Sequence, residues 1–313
     1  MKMPPTIPCA SLAALSLLAG CSSYSTKPML PTPEQNAAAP AGYLGLKDLY
    51  VADYDTGKIF LFKNNGFEPD GSITSGISGP WDITLDRLGN LYVANAAGGN
   101  ITEYAPGASN PSFTYSYGMI SPRLVSVDQH GNVFETDFTD YEHKGQVSEF
   151  SQGSNFPIYS CSLFAPWGVA TDASGDVFVD YNASQGGDGH IAEFKGGLAG
   201  CSPIQLGAHV EKATGIVLDR RRDILIGDFS KGRVDVIPPP YSTIASHLDT
   251  GGDGPTFISI DRTNERVFAS TPSSYGNHVM VWDYASGKVV DRLGGGRRLN
   301  SAYGVVDAQN AVP

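Results

Sequence analysis

Side chains that could do chemistry recur along this chain at regular intervals. Aspartates close six similar phrases, at Asp86, Asp128, Asp172, Asp219, Asp261 and Asp307, with spacings of 42, 44, 47, 42 and 46 residues. A second acidic or amide column follows at Asp53, Asn95, Asp137 and Asp228, and a third at Glu103, Glu149 and Glu193. Such carboxylates could act as acids, bases or metal ligands. Their recurrence argues otherwise, because a residue present in every copy of a repeat serves the repeat. The Asp columns read as turn caps, with side-chain oxygens accepting nearby backbone N–H groups. His190 and His278 look like ligands until aligned. They share the column of Lys58, Asn100, Gln146 and Arg233, a polar lead-in to a strand, and lie in repeats that are not adjacent. The stretch Asp180-Tyr181-Asn182-Ala183-Ser184 begins like a calcium loop, but Gln185 stands where that loop needs Gly and no Glu occupies its twelfth position. This pattern argues against calcium, and no cofactor is expected. No CxxC or HExxH spacing occurs.

The four cysteines divide by position. Cys9 and Cys21 lie in the N-terminal segment, and Cys161 and Cys201 in the body of the chain, where either a disulfide or two free thiols would fit. Residues 1–20 carry Lys2 and a short apolar run, Ala10 to Ala19, of signal-peptide length. The run ends Leu18-Ala19-Gly20-Cys21, which resembles a bacterial lipobox, so the resemblance implies lipidation of Cys21. Ser22 after the cysteine implies sorting to the outer membrane, facing the periplasm. Two or more acyl chains hold a protein stably on a bilayer at about 0.8 kcal/mol per buried methylene. Residues 21–42 are rich in Ser, Pro and Ala and read as a tether reaching roughly 70 Å when extended. Residues 43–313 form the folded part. The chain has 313 residues, 37 Gly, 21 Pro and a formal net charge of −11, which argues against a nucleic-acid partner and against membrane contact other than through lipid.

These side chains must be positioned by the repeated elements themselves. Each phrase reads as a strand ending at the Asp, a tight turn ("DRLGN", "DQHGN", "DASGD"), an apolar second strand ("LYVAN", "VFETD", "VFVDY"), a third ("ITEY", "VSEF", "IAEF") and a variable fourth. Gly89, Gly131 and Gly175 occupy the turn position that needs positive φ, with Asn264 and Asn310 as the next best residues. Arg222 in "DRRRD" does not fit, so a different turn is expected there. A period in the forties made of short strands predicts an all-β propeller of six four-stranded blades. The chain begins with a second strand, "DLYVAD", and ends with a lone first strand, "AYGVVD", so the C-terminal strand should complete the N-terminal blade. The phrase resembles NHL-repeat six-bladed propellers over about Tyr43 to Val312. That resemblance implies the fold and leaves the function open, since the fold hosts binding modules, lyases and lactonases.

Function should sit where the copies differ. The first-strand starts and the loops between second and third strands are expected to share one face, the pore mouth. There they would gather Trp81, Asp82, Arg123, Trp167, Glu142, His143, Tyr181, Tyr275 and Tyr303. Aromatic side chains with a few charges suit a binding patch. No catalytic set can be assigned, so the reading leans to a monomeric, non-catalytic binding or scaffold module for an envelope protein or glycan. The alternative is a metal-dependent lactonase or hydrolase of the gluconolactonase-like type. The early Glu and the "PNG" signature that it would require are missing.

Overall fold

A computed structural model describes residues 49–62, 69–138, 144–184, 187–271, 277–293 and 299–307. All lie in the unit Gly42–Pro313. The positions Cys21, Glu142, His143 and Tyr275, singled out above, fall outside the described residues.

The described residues form 24 strands in six four-stranded antiparallel sheets. The first blade holds β1 (Leu49–Asp53), β2 (Lys58–Phe62), β3 (Gly71–Ile73) and, as its inner strand, β24 (Ala302–Asp307). The second is β4 (Pro80–Leu85), β5 (Leu91–Asn95), β6 (Asn100–Tyr104) and β7 (Phe113–Tyr115). The third is β8 (Pro122–Val127), β9 (Val133–Phe138), β10 (Lys144–Phe150) and β11 (Pro157–Phe164). The fourth is β12 (Pro166–Thr171), β13 (Val177–Ser184), β14 (Gly187–Phe194) and β15 (Ile204–Gln205). The fifth is β16 (Ala213–Leu218), β17 (Ile224–Asp228), β18 (Arg233–Ile237) and β19 (Ser246–Asp249). The sixth is β20 (Phe257–Ile260), β21 (Arg266–Thr271), β22 (His278–Asp283) and β23 (Lys288–Leu293). Each inner strand packs against the next, and β20, β24 and β4 close the circle. This is the six-bladed propeller, shut by the C-terminal strand.

Six apolar clusters hold it together, each shared by two consecutive blades. That explains the near-continuous apolar second strands. β1, β5 and β17 are buried at every position, because both faces are covered by neighbours. The Asp columns are caps. Asp86 accepts the N–H groups of Leu88 and Asn90 at 2.9 and 2.8 Å, and Asp128 does the same for His130 and Asn132. In the second column, Asp137 accepts Ile120 N–H and Asp228 accepts Glu211 N–H, fixing the chain as it enters the inner strand.

Two expectations change. Arg222 adopts φ 66°, alongside 83° at Gly89, Gly131 and Gly175, so the turn is the same one. The side chain offsets the strain by reaching to the preceding blade, where its Nη2 lies 2.5 Å from Asp172 and 3.1 Å from Asp176. Asp307 stands out of register with the other caps. It pairs with Leu49, the register that Leu85 holds opposite Leu91, because the stretch from Ala302 is one residue shorter than its counterparts.

Cys161 on β11 and Cys201 in the β14–β15 connection form a disulfide, with Cα atoms 5.3 Å apart. It joins the third blade to the fourth across 40 residues of sequence, an entropic stabilisation of about 4 kcal/mol.

Candidate functional site

Each of five inner strands begins with the same small irregularity. Pairing slips between Pro80 and Asp82, between Pro122 and Val125, between Pro166 and Gly168, between Ala213 and Ile216, and opposite β24 between Val51 and Asp53. A bulge bends the strand and re-aims the side chain within it. The residues so placed are Trp81, Arg123, Trp167, Thr214 and Tyr303. The repeat therefore builds a ring of positions, and sequence variation decides what each carries.

Four of those positions come together. The Arg123 Cζ lies 3.3 Å from the centroid of Trp81 and 5.3 Å from that of Trp167. The two indoles meet edge to face, 6.1 Å apart at 90°. Tyr303 packs 5.5 Å from Trp81, and Tyr54, just past β1, touches both at 5.8 Å. Phe257 backs Tyr303 at 5.5 Å. Stacked aromatic contacts and a desolvated cation over an indole each contribute about 1–2 kcal/mol. Burial lowers the Arg123 guanidinium to about 9, and the Asp137 carboxylate opposes that change.

Sequence reasoning named Trp81, Arg123, Trp167 and Tyr303 but missed Tyr54 and Phe257, which lie outside the bulge positions. Tyr181 stands elsewhere. Its ring packs 5.5 Å from His190 and its hydroxyl donates to Gln205 at 3.4 Å, towards the outer strand β15. Residues 180–184, whose pattern argued against a calcium loop, belong to β13. The Asn182 amide bonds Ala213 in both directions, at 2.9 and 3.0 Å. Of the loops expected at this face, 180–189 is mostly the extended β13–β14 hairpin.

Below the ring lie three buried acids: Asp82, which sequence reasoning placed at the pore mouth, and Asp180 and Glu135, which it did not. Asp82 accepts Val125 N–H at 3.0 Å, and burial raises its carboxyl to about 7. Asp180 accepts Gly215 N–H at 3.3 Å and is likewise raised to about 7 by burial. Glu135 is fully buried, which holds its carboxyl well above the usual range, and Asp137 adds to the effect. The signal was present. In register, Glu135 stands where the other blades have Val51, Val93, Val179, Ile226 and Ala269. Among the described residues, no group of three or more His, Cys, Asp or Glu side chains converges as a metal site.

A channel of about 320 Å³ runs along the inner strands, from Asp82, Leu124 and Val169 to Gln129, Arg220 and Arg262. Trp81 and Arg123 precede Asp82 and Leu124 by one residue, so the aromatic cluster stands at one end of it.

No protein-family model matches the chain, and no curated protein is similar to it. Solved structures are similar. One is a chain in a crystal structure of a nidogen/laminin complex, at 16% identity and TM-score 0.65, covering 83% of this chain and 97% of that one. Another is a protein of unknown function from Bacteroides caccae, at 10% identity and TM-score 0.65, with the same coverage. At such identities the likeness is one of fold, and the fold is the six-bladed β-propeller.

Proposed function

We propose that this is a lipid-anchored cell-envelope propeller, similar to NHL-repeat propellers, that binds an envelope protein or glycan at the Trp81 end of its channel without catalysing a reaction. Lipid on Cys21 and a tether over residues 21–42 would hold it at the outer membrane on the periplasmic side. The observation that carries the reading is the rim cluster. Trp81, Arg123, Trp167 and Tyr303 come from four different blades yet stack into one surface. Rigid aromatic side chains bury much area at low entropic cost, and Arg123 supplies charge-assisted hydrogen bonds. The similar chain in the nidogen/laminin complex is a precedent for this fold in a protein assembly. The test is a pull-down from detergent-solubilised envelope with wild type and a Trp81→Ala/Trp167→Ala pair. A partner recovered by the first and lost by the second supports the reading. No specific partner with wild type counts against it.

One observation favours the alternative hydrolase. Asp82 lines the channel with its carboxyl poised near neutrality, as a general acid or base would be. Stoichiometric metal in the purified protein, together with lactone turnover lost in Asp82→Asn, would move the assignment there.

A further inference from the structure

The far end of the channel gathers a second set of polar side chains. Where each inner strand ends, the residue after the cap aspartate stands at the mouth. This residue is Gln129 in the third blade, Arg220 in the fifth and Arg262 in the sixth, and all three line the channel. Arg220 and Arg262 come from adjacent blades, are exposed, and take no ion pair among the described residues. The neighbouring acids are already engaged. Asp172 pairs with Arg222 at 2.5 Å, and Asp219 with Arg221 at 3.2 Å. Asp261 accepts Glu265 N–H at 2.7 Å and the Thr263 hydroxyl at 3.1 Å. In a chain of net charge −11, this leaves two uncommitted guanidinium groups at the mouth of a cavity.

Inside, one level of the channel carries both polar and apolar positions, with Thr84 and Ser126 adjacent on one side and Ala170 and Val217 adjacent on the other. Thr84, Ser126 and Ser259 share a register on three blades, opposite Tyr92, Phe134 and Phe268. The same register on the other three blades holds Ala170, Val217 and Val306. The Ser259 hydroxyl is buried, with the residue 8% exposed, and has no hydrogen-bond partner in the protein. A buried hydroxyl left unpaired is costly, so its position in a channel wall indicates a polar occupant. The cavity is of small-molecule size, at about 300 Å³.

We infer that this mouth binds a small hydroxylated acid of hexuronate size. The carboxylate meets Arg220 and Arg262, and the ring hydroxyls meet Thr84, Ser126 and Ser259. The apolar ring face lies against Ala170 and Val217, which stand on adjacent blades. The site is at the opposite end of the inner strands from Trp81 and does not depend on the function proposed there.

The test is calorimetric titration of the purified full chain with D-glucuronate, with D-glucose and with inorganic phosphate at low salt. Glucuronate should bind at roughly millimolar affinity or tighter and better than either control, since it alone supplies both charge and hydroxyls. Arg220→Ala/Arg262→Ala should weaken it about tenfold or more, Ser259→Val should weaken it less, and Trp81→Ala/Trp167→Ala should leave it unchanged. The arginines are exposed, so an unaltered circular dichroism spectrum will confirm that the double variant folds. No glucuronate binding, or binding that the double variant retains, overturns the proposal. Glucose binding equally well overturns the arginine assignment, and phosphate binding equally well with Ser259→Val silent overturns the hydroxyl assignment.

Discussion

Replacing Asp82 by Asn should flatten part of the pH dependence of stability. The folded protein raises this carboxyl from 3.8 to about 7 by burial, so it holds a proton there that the unfolded chain releases. The sign follows directly. Between about pH 4 and pH 7 the native state binds more protons than the unfolded state, and stability falls as pH rises through that window. A tenfold difference in proton affinity between the two states is worth about 1.4 kcal/mol. A carboxyl raised from 3.8 to about 7 therefore costs the folded state at most about 4 kcal/mol once the pH is above both values. Burial raises Asp180 to about 7 as well, and raises Glu135 in the same direction, so wild type should lose stability steadily towards neutral pH and level off above it. Asn keeps an oxygen for the Val125 N–H and never ionises. Urea unfolding of wild type, Asp82→Asn and Asp82→Asn/Asp180→Asn at a series of pH values would measure this. The curves should converge near pH 4, with each amide variant progressively more stable than wild type by pH 8. A wild-type curve that rises between pH 5 and 7, or an Asp82→Asn curve parallel to it, would refute the reasoning.

Other consequences are simpler to read. Arg222→Ala keeps the strained turn and loses both aspartate partners, whereas Arg222→Gly loses the partners but relieves the strain, so the Gly variant should be the more stable of the two by about 1 kcal/mol in thermal unfolding. Reducing Cys161–Cys201, or replacing both cysteines by Ser, should lower stability by about 4 kcal/mol, seen as a reductant-sensitive melting temperature in wild type alone. A Cβ at Gly304 would come within 2.6 Å of Ile83 N and 2.7 Å of Asp82 Cα, so Gly304→Ala should destabilise the closure by about 1–3 kcal/mol in thermal unfolding. Trp81→Ala should remove the edge-to-face indole pair and much of the near-ultraviolet circular dichroism that it generates, with little change in the far ultraviolet.

The parts of this protein that were legible in its sequence are those decided by local chemistry and repeated often enough to be compared. An aspartate that caps a tight turn, a glycine at positive φ and an apolar run sandwiched between two sheets each leave the same mark in every blade. The period, the strand order and the C-terminal closure follow from those marks. So did four members of the rim cluster, because they interrupt an otherwise regular column. Glu135 interrupts a column just as visibly, but whether an odd acid is exposed or buried depends on what the next blade places against it. Tertiary contacts alone decided the rest. Asp172 and Asp176, in another blade, make Arg222 tolerable in a glycine's place. The β1–β24 pairing shifted Asp307 out of the cap register. Tyr54 joined the tryptophans across a ring that the linear chain does not display. Burial between blades, rather than any motif, moved Asp82 and Asp180 towards neutrality, because the solvation of a carboxylate depends on everything packed around it.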